Sequence, residues 1–303
     1  YFQFTPHDTH DWDAQEPLLL IDDDFRGRPR KLLAQGNRNG FFYVLDRTNG
    51  EFLLGKPFVH QTWAEGIDDS GRPIVLPNTN PTEEGNDVCP AIRGATNWWA
   101  TSYHPGTKLF YLLAHESCMT YTKNERDWQR GRNWLGGTAR LADGSQNQKF
   151  IRAIDIQTGD VAWSYAQTGN AQTYSGVLST DGNLVFFGED SGAFAALDAE
   201  HGELLWHFQA NQDWKASPMT YMVAGRQYVA IASGLGFWAF ALALRKEHDG
   251  RIGRMLGWLL LCGVLLGYAR LTRGVVGPFV WVMAAMAAWF VLRSESLGQN
   301  GNW

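Results

Sequence analysis

The chain has 303 residues, enough for one large β domain or two ordinary ones, and its 45% hydrophobic content excludes a disordered segment. Its 26 basic against 31 acidic side chains give a formal charge of −5 with no basic block, which argues against nucleic acid as a partner. Fourteen Trp, 17 Phe, 10 Tyr and 33 Gly fit many short aromatic strands joined by tight turns, while three cysteines are too few for a disulfide scaffold.

The first residue is Tyr1 and no signal-peptide pattern precedes the first strand signals, so the chain is read as a fragment that starts inside a structural element. Phe4 to Ala14 (Phe-Thr-Pro-His-Asp-Thr-His-Asp-Trp-Asp-Ala) packs three carboxylates and two imidazoles into one short stretch. Asp11 and Asp13 share a face if the segment is extended and can converge on one cation if it turns. Their oxygen donors favour a hard cation such as calcium or a lanthanide over zinc, whereas an acidic surface turn with Asx caps accounts for the same residue types without metal. Further on, Gly36-Asn-Arg-Asn-Gly40 precedes the apolar strand Phe41–Leu45. Asn39-Gly40 is a type I′ hairpin signal, which leaves Arg38 unexplained: it can clamp a carboxylate or quinone oxygen, or simply be solvated.

Long connections at Val59 to Gly94 and Thr122 to Gln148 exceed ordinary loops and read as functional or surface-covering. Cys89 and Cys118 flank a strand-rich stretch; they pair in an oxidising compartment or remain two buried thiols. The absence of Cys-x-x-Cys-His excludes a c-type haem attachment site in this sequence. Asn97 beside Trp98 and Trp99 offers an amide next to planar aromatics, suited to a flat polar cofactor, although at least one of the two indoles is better explained by core packing. Strands are expected over Trp98 to Tyr103, Lys108 to Leu113 and Phe186 to Leu197, with turns at His104-Pro-Gly106 and Thr180-Asp-Gly182.

The chain also repeats itself. Ala153-Ile-Asp155-Ile-Gln-Thr-Gly159-Asp-Val-Ala-Trp163 recurs as Ala196-Leu-Asp198-Ala-Glu-His-Gly202-Glu-Leu-Leu-Trp206, and Val44-Leu-Asp46-Arg-Thr-Asn-Gly50-Glu is a copy without the closing Trp. The 43-residue offset between Ala153 and Ala196 is the length of one four-stranded propeller blade, with the Trp docking between blades. About four all-β blades therefore fit in 1–244. A polar hinge (245–254) follows, then two apolar runs within 255–293 that read as a transmembrane helical hairpin making membrane contact, the alternatives being buried helices or the translated artefact of a truncated gene, then a tail (294–303).

Taken together, these segments resemble the methanol/ethanol family of quinoprotein alcohol dehydrogenases, which depend on pyrroloquinoline quinone (PQQ). The resemblance rests on Thr5-Pro-His-Asp8, Asp11-Trp-Asp13, the turn around Arg38, Gly94-Ala-Thr-Asn-Trp98, Cys89 with Cys118, the Trp repeats, and Ala216-Ser-Pro-Met-Thr-Tyr221 leading to Gln227-Tyr-Val-Ala-Ile231. It implies an eight-bladed propeller with the cofactor on its axis, of which this chain is the C-terminal half. It further implies Asp11 as catalytic base and metal ligand, Arg38 hydrogen-bonded to the quinone, Asn97 and Trp98 at the cofactor, and a Cys89–Cys118 disulfide. Asp13 matches the additional metal-binding aspartate of lanthanide-dependent relatives, so calcium or a lanthanide is the expected ion.

By the same resemblance, the remaining metal ligands, a Glu and an Asn, lie in the earlier half of the ring, and the fragment alone should be inactive. The expected activity is oxidation of a primary alcohol to an aldehyde, in the periplasm, with a cytochrome c or membrane quinone accepting electrons. Two other readings compete: a non-catalytic propeller scaffold of outer-membrane assembly, and a membrane-bound sugar or polyol dehydrogenase using PQQ.

Overall fold

The computed structural model describes residues 2–170, 172–233 and 236–240, in which every strand or helix assigned is a strand, as the aromatic, glycine-rich composition implied. The hinge, hairpin and tail expected at 245–254, 255–293 and 294–303 lie outside the described residues. No helix among the described residues is long and apolar enough to cross a membrane. The chain divides into two compact units, Tyr1–Thr220 and Tyr221–Trp303.

The first unit is a series of antiparallel meanders. Strands β1 (Leu19–Phe25), β2 (Arg28–Gly36), β3 (Phe41–Asp46) and β4 (Phe52–Pro57) form one sheet in chain order. A hairpin, β5 (Ala64–Ile67) and β6 (Pro73–Val75), and strand β7 (Asn86–Val88) follow. The second blade uses β8 (Ser102–His104) and β9 (Leu109–Glu116), and then omits β10 (Met119–Lys123) and β11 (Gly137–Leu141). It resumes with β12 (Gln148–Asp155) and β13 (Val161–Ala166). The third blade is β14 (Val177–Thr180), β15 (Leu184–Gly188), β16 (Ala193–Asp198) and β17 (Leu204–Gln209). A three-stranded sheet follows, β18 (Met219–Val223), β19 (Arg226–Ser233) and β20 (Gly236–Phe240), with β19 and β20 antiparallel from Val229↔Phe240 to Ser233↔Gly236. These sheets are the four expected blades.

Middle strands are covered on both faces, so they read as apolar runs rather than alternating ones: all six residues of β3 and seven of eight in β9 are buried. Outer strands β13 and β17 are mostly exposed, with Trp163 and Tyr165 half-buried in the first and only Trp206 in the second. The expected strand over Phe186 to Leu197 is in fact two, because Glu189 O accepts from Gly192 N (2.9 Å) and Gly192 at φ +85° turns the chain. Of Trp98 to Tyr103 only the last two residues enter β8.

The repeat has a common geometry in all three blades of this unit. Gly50, Gly159 and Gly202 stand at φ +79°, +75° and +74°, each donating its amide to the carbonyl of the Asp four residues earlier. The Asp carboxylates of 46, 155 and 198 cap the amides two residues on. Each turn is preceded by a register shift, at Val44/Leu45, Ala153/Ile154 and Ala196/Leu197. The closing Trp explains the second demand on the glycine. A Cβ on Gly202 would lie 2.5 Å from Trp163, whose Nε1 donates to Ala199 O at 3.1 Å, so the indole of one blade seats on the turn of the next. In the copy lacking Trp, Leu54 occupies that position against Gly159.

The two long connections meet. Strand β7 from the first pairs with β10, which leads into the second, β11 from the second completes that sheet, and the Cys89–Cys118 disulfide links β7 to β10 across 29 residues. This insertion covers its own core of Trp12, Phe41, Tyr43, Trp63, Val88 and Tyr121.

Antiparallel order fixes which loops share an end. In each blade the first-to-second and third-to-fourth turns fall at one end, where Arg26 N donates to Gln157 Oε1 (2.7 Å) between blades. The second-to-third turns and the segments leading into innermost strands β1, β8 and β14 fall at the other.

Candidate functional site

Every candidate functional side chain other than the two cysteines lies on that second set of loops. The segment into β1 is anchored by Asp8, whose Oδ1 accepts from His10 N (2.8 Å) and whose Oδ2 accepts from Trp12 N (2.5 Å), an Asx-type turn. His10 is consumed structurally: it stacks on Trp12 at 4.4 Å, its Nε2 bonds Thr79 O at 2.8 Å, and burial lowers its pKa despite the Thr79 carbonyl and Asp8. Trp12 is 1% exposed and donates Nε1 to Ala91 O (3.2 Å). With this indole driven into the core, its neighbours Asp11 and Asp13 are both left exposed.

Asp11 adopts φ +66°, a left-handed conformation uncommon for a residue with a side chain and concentrated at functional sites. Its carboxylate is 63% exposed and accepts from Arg38 Nη2 at 3.4 Å. Asp13 lines a cleft of about 240 Å³ with Phe2, Phe4, Asp8 and Trp12; Asp11 does not line it. Among the described residues the only group of three His, Cys, Asp or Glu ligand atoms within 4.8 Å is His60, Cys89 and Cys118, and two of these are consumed by the disulfide. No third such side chain joins Asp11 and Asp13 among the described residues.

Arg38 sits on the β2–β3 turn, which differs from the type I′ geometry expected. Gly40 N donates to Asn37 O (3.0 Å) and Asn37 N to Phe41 O (2.9 Å), and Gly40 alone in the turn has positive φ, +95°. The central residues are therefore Arg38 and Asn39, not Asn39 and Gly40, as in a type I turn closed by a glycine bulge. Asn37 Oδ1 and Asn39 Oδ1 accept from the amides of Asn39 and Phe41, fixing the turn and Arg38 at its tip. The guanidinium is only 6% exposed; Nη2 also donates to Ile92 O, and Nε has no partner. Gly94, φ +80°, lets the second segment cross over it, since a Cβ there would lie 2.6 Å from Arg38 Cβ.

That second segment carries Asn97 and Trp98. Asn97 Nδ2 donates to Arg93 O (2.8 Å), and its Oδ1 accepts from Trp98 N (2.9 Å) and Gln15 Nε2 (2.8 Å), tying the two segments together. Trp99 is 4% exposed and stacks on Tyr174, so it is the core indole; Trp98 is 55% exposed and its ring makes no aromatic contact among the described residues.

Glu16 is the residue that sequence reasoning missed. It is 4% exposed and neither carboxylate oxygen has a hydrogen-bond partner. Burial pushes its carboxyl up to about 8, against the opposing pull of Arg38. Its position between the Asp cluster and the apolar strand β1 was the available signal.

Meanders of four strands repeating at a blade-length offset define a β-propeller, and the candidate polar side chains gather at one end of its innermost strands. The PQQ family, described as the glucose/ethanol/alcohol dehydrogenase β-propeller domain, matches residues 1–62 and 166–229. The chain is 38% identical over 271 residues to the quinoprotein alcohol dehydrogenase PedH of Pseudomonas putida, covering 84% of the chain and 45% of that protein. It is 34% identical over 279 residues to the lanthanide-dependent methanol dehydrogenase of Methylorubrum extorquens, covering 86% and 46%. The crystal structure of the quinohemoprotein alcohol dehydrogenase from Comamonas testosteroni aligns with a TM-score of 0.70 at 33% identity, over 78% of this chain and 37% of that one. The chain is homologous to the quinoprotein alcohol dehydrogenases and carries part of their PQQ β-propeller domain. It spans less than half the length of these relatives.

Proposed function

We propose that this chain supplies one wall of the active site of a quinoprotein that oxidises a primary alcohol to an aldehyde. The observation that carries the reading is Asp11, an exposed carboxylate held at positive φ beside the buried guanidinium of Arg38. The residues fit the groups such a site requires. Asp11 and Asp13 offer hard anionic oxygens to calcium or a lanthanide, and the exposed Trp98 indole beside the Asn97 amide offers a flat, polar seat for PQQ. The partnerless Arg38 Nε leaves a buried donor for a further acceptor.

When bound, PQQ and its metal ion supply the hydride acceptor and its Lewis-acid activation. Asp11 as carboxylate takes the proton from the alcohol hydroxyl. Arg38, locked at the turn tip by the two Asn side chains, holds a fixed positive charge where negative charge grows, without reorganising. Asn97 keeps the two loop segments in register through Gln15 and Arg93. The disulfide fits an oxidising compartment, here the periplasm. An electron acceptor, a cytochrome c or membrane quinone, completes the cycle, and the preceding half of the propeller supplies the other wall. The fragment alone is accordingly inactive.

The test is the full-length protein reconstituted with PQQ and either calcium or lanthanum, with dye reduction followed on short alcohols. Turnover with one of the metals, lost in D11N, is expected; no turnover with either metal refutes the reading. D13A is expected to lose lanthanum-supported activity selectively, and unchanged activity with lanthanum removes Asp13 from the metal shell.

A further inference from the structure

Beside Asn97, three cations converge on one tyrosine. Tyr174, in the segment leading into β14, stacks on Trp99 with ring centroids 5.4 Å apart and planes 11° from parallel. Lys215 Nζ lies 4.5 Å from its ring centroid, Lys149 Nζ 5.2 Å and Arg93 Cζ 5.7 Å. Arg93 Nη1 donates to the Tyr174 hydroxyl and Lys215 Nζ to Gln172 O. Lys149, 8% exposed, donates to Thr173 O (2.9 Å) and pairs with Asp190 (2.9 Å). Arg93 and Lys215 form no ion pair among the described residues, so three cations share one carboxylate.

Like charges held this close repel unless an anion joins them, and the tyrosine face offsets only part of that repulsion. Lys149 registers the excess: burial lowers its pKa, Asp190 opposes this, and the charges of Lys215 and Arg93 lower it further. The cluster belongs to the same mouth as Asp11. Ile92 O takes Arg38 Nη2 and the next residue, Arg93, reaches Tyr174, while Arg93 O holds Asn97 and thus the bare Trp98.

PQQ is a flat quinone bearing three carboxylates. The charge of Arg38 already faces Asp11. A trianion beside the metal ion is stabilised by any further unpaired positive charge that this chain brings to the site. Building on the PQQ reading above, we infer that Arg93, Lys149 and Lys215 around Tyr174 form a recognition site for a carboxylate of the bound cofactor.

The experiment is equilibrium dialysis of the full-length protein, in calcium, against PQQ and against its uncharged trimethyl ester. The variant R93Q/K215Q leaves the buried Lys149–Asp190 pair in place. The expected result is at least a tenfold loss of affinity for PQQ with the ester unaffected, and near-native PQQ affinity in R93K/K215R. Equal losses for PQQ and ester would mean a general disturbance of the pocket and overturn the assignment, as would unchanged PQQ affinity. Unchanged PQQ affinity with a raised KM for a hydroxy acid, but not for a simple alcohol, would assign the cations to substrate instead. Failure of the unmodified protein to bind PQQ would defeat the cofactor reading itself, and this inference with it.

Discussion

Replacing Gly202 by Ala separates two reasons for a glycine that coincide in the propeller turn. At Gly202 φ is +74° and an added Cβ would meet Trp163 Cε3 at 2.5 Å; at Gly50 φ is +79° and nothing lies within 4 Å. Both substitutions carry the left-handed backbone cost, about 1–2 kcal/mol. G202A alone also drives a methyl into the docked indole, and overpacking adds about 1–3 kcal/mol. G159A belongs between them, because Leu54 and Lys56 stand at 3.0 Å and can give way. Urea unfolding followed by fluorescence, compared at constant m, should rank the losses G50A, G159A, G202A. Introducing W163A into G202A should reduce the cost of the glycine substitution to that of G50A, since the obstacle is gone. A G202A no costlier than G50A, or one indifferent to W163A, would refute the docking account.

Glu16 predicts a pH signature. A carboxyl raised from 4.5 to about 8 stays protonated in the folded chain while the unfolded chain ionises, so stability should fall as pH rises from about 4.5 to about 8. The slope is about 1.4 kcal/mol per pH unit, and E16Q should remove it; identical pH–stability curves for E16Q and the unmodified protein would discount the burial. Removing the Cys89–Cys118 bridge with paired serines opens a loop with a sequence separation of 29, worth about 3–4 kcal/mol by chain entropy, and should lower the urea midpoint correspondingly. Y103F deletes the 2.6 Å bond to Asp23 Oδ2 that joins the first two blades, and thermal unfolding should register a loss of about 1.5–3 kcal/mol.

What was legible in the sequence was local. The Asp, Gly and Trp of each repeat act within eleven residues or on the adjoining blade, so their spacing announces both turn and docking. Asp11 and Asp13 could be picked out because carboxylates crowd one short stretch, and the intervening Trp12 accounts for their shared exposure. Arg38 was placed correctly on a turn of the wrong type, because the side chains of Asn37 and Asn39 select the backbone conformation ahead of the Asn-Gly signal. The rest depended on distant partners. Which of Trp98 and Trp99 is buried is decided by Tyr174, 75 residues beyond Trp99, and the pairing of β7 with β10 unites two loops that local pattern treats as separate. The burial of Glu16 and the gathering of cations on Tyr174 arise only when segments from different blades meet.

The repeated Asp–Gly turns and the chemically varied loops occupy opposite ends of the same strands. At the first rim blades are joined by the docked indole and by Arg26 with Gln157, whereas at the other they are joined by the site segments themselves, Gln15 with Asn97 and Trp99 with Tyr174. Under the proposed function, a change of substrate or metal preference would be written into the segments around Asp13, Trp98 or Lys215 while the Asp–Gly turns keep their residues. Conversely, an engineer who wants a sturdier scaffold can work on the turn at Gly50, where no docked aromatic constrains the choice, and leave the rim of the candidate site untouched.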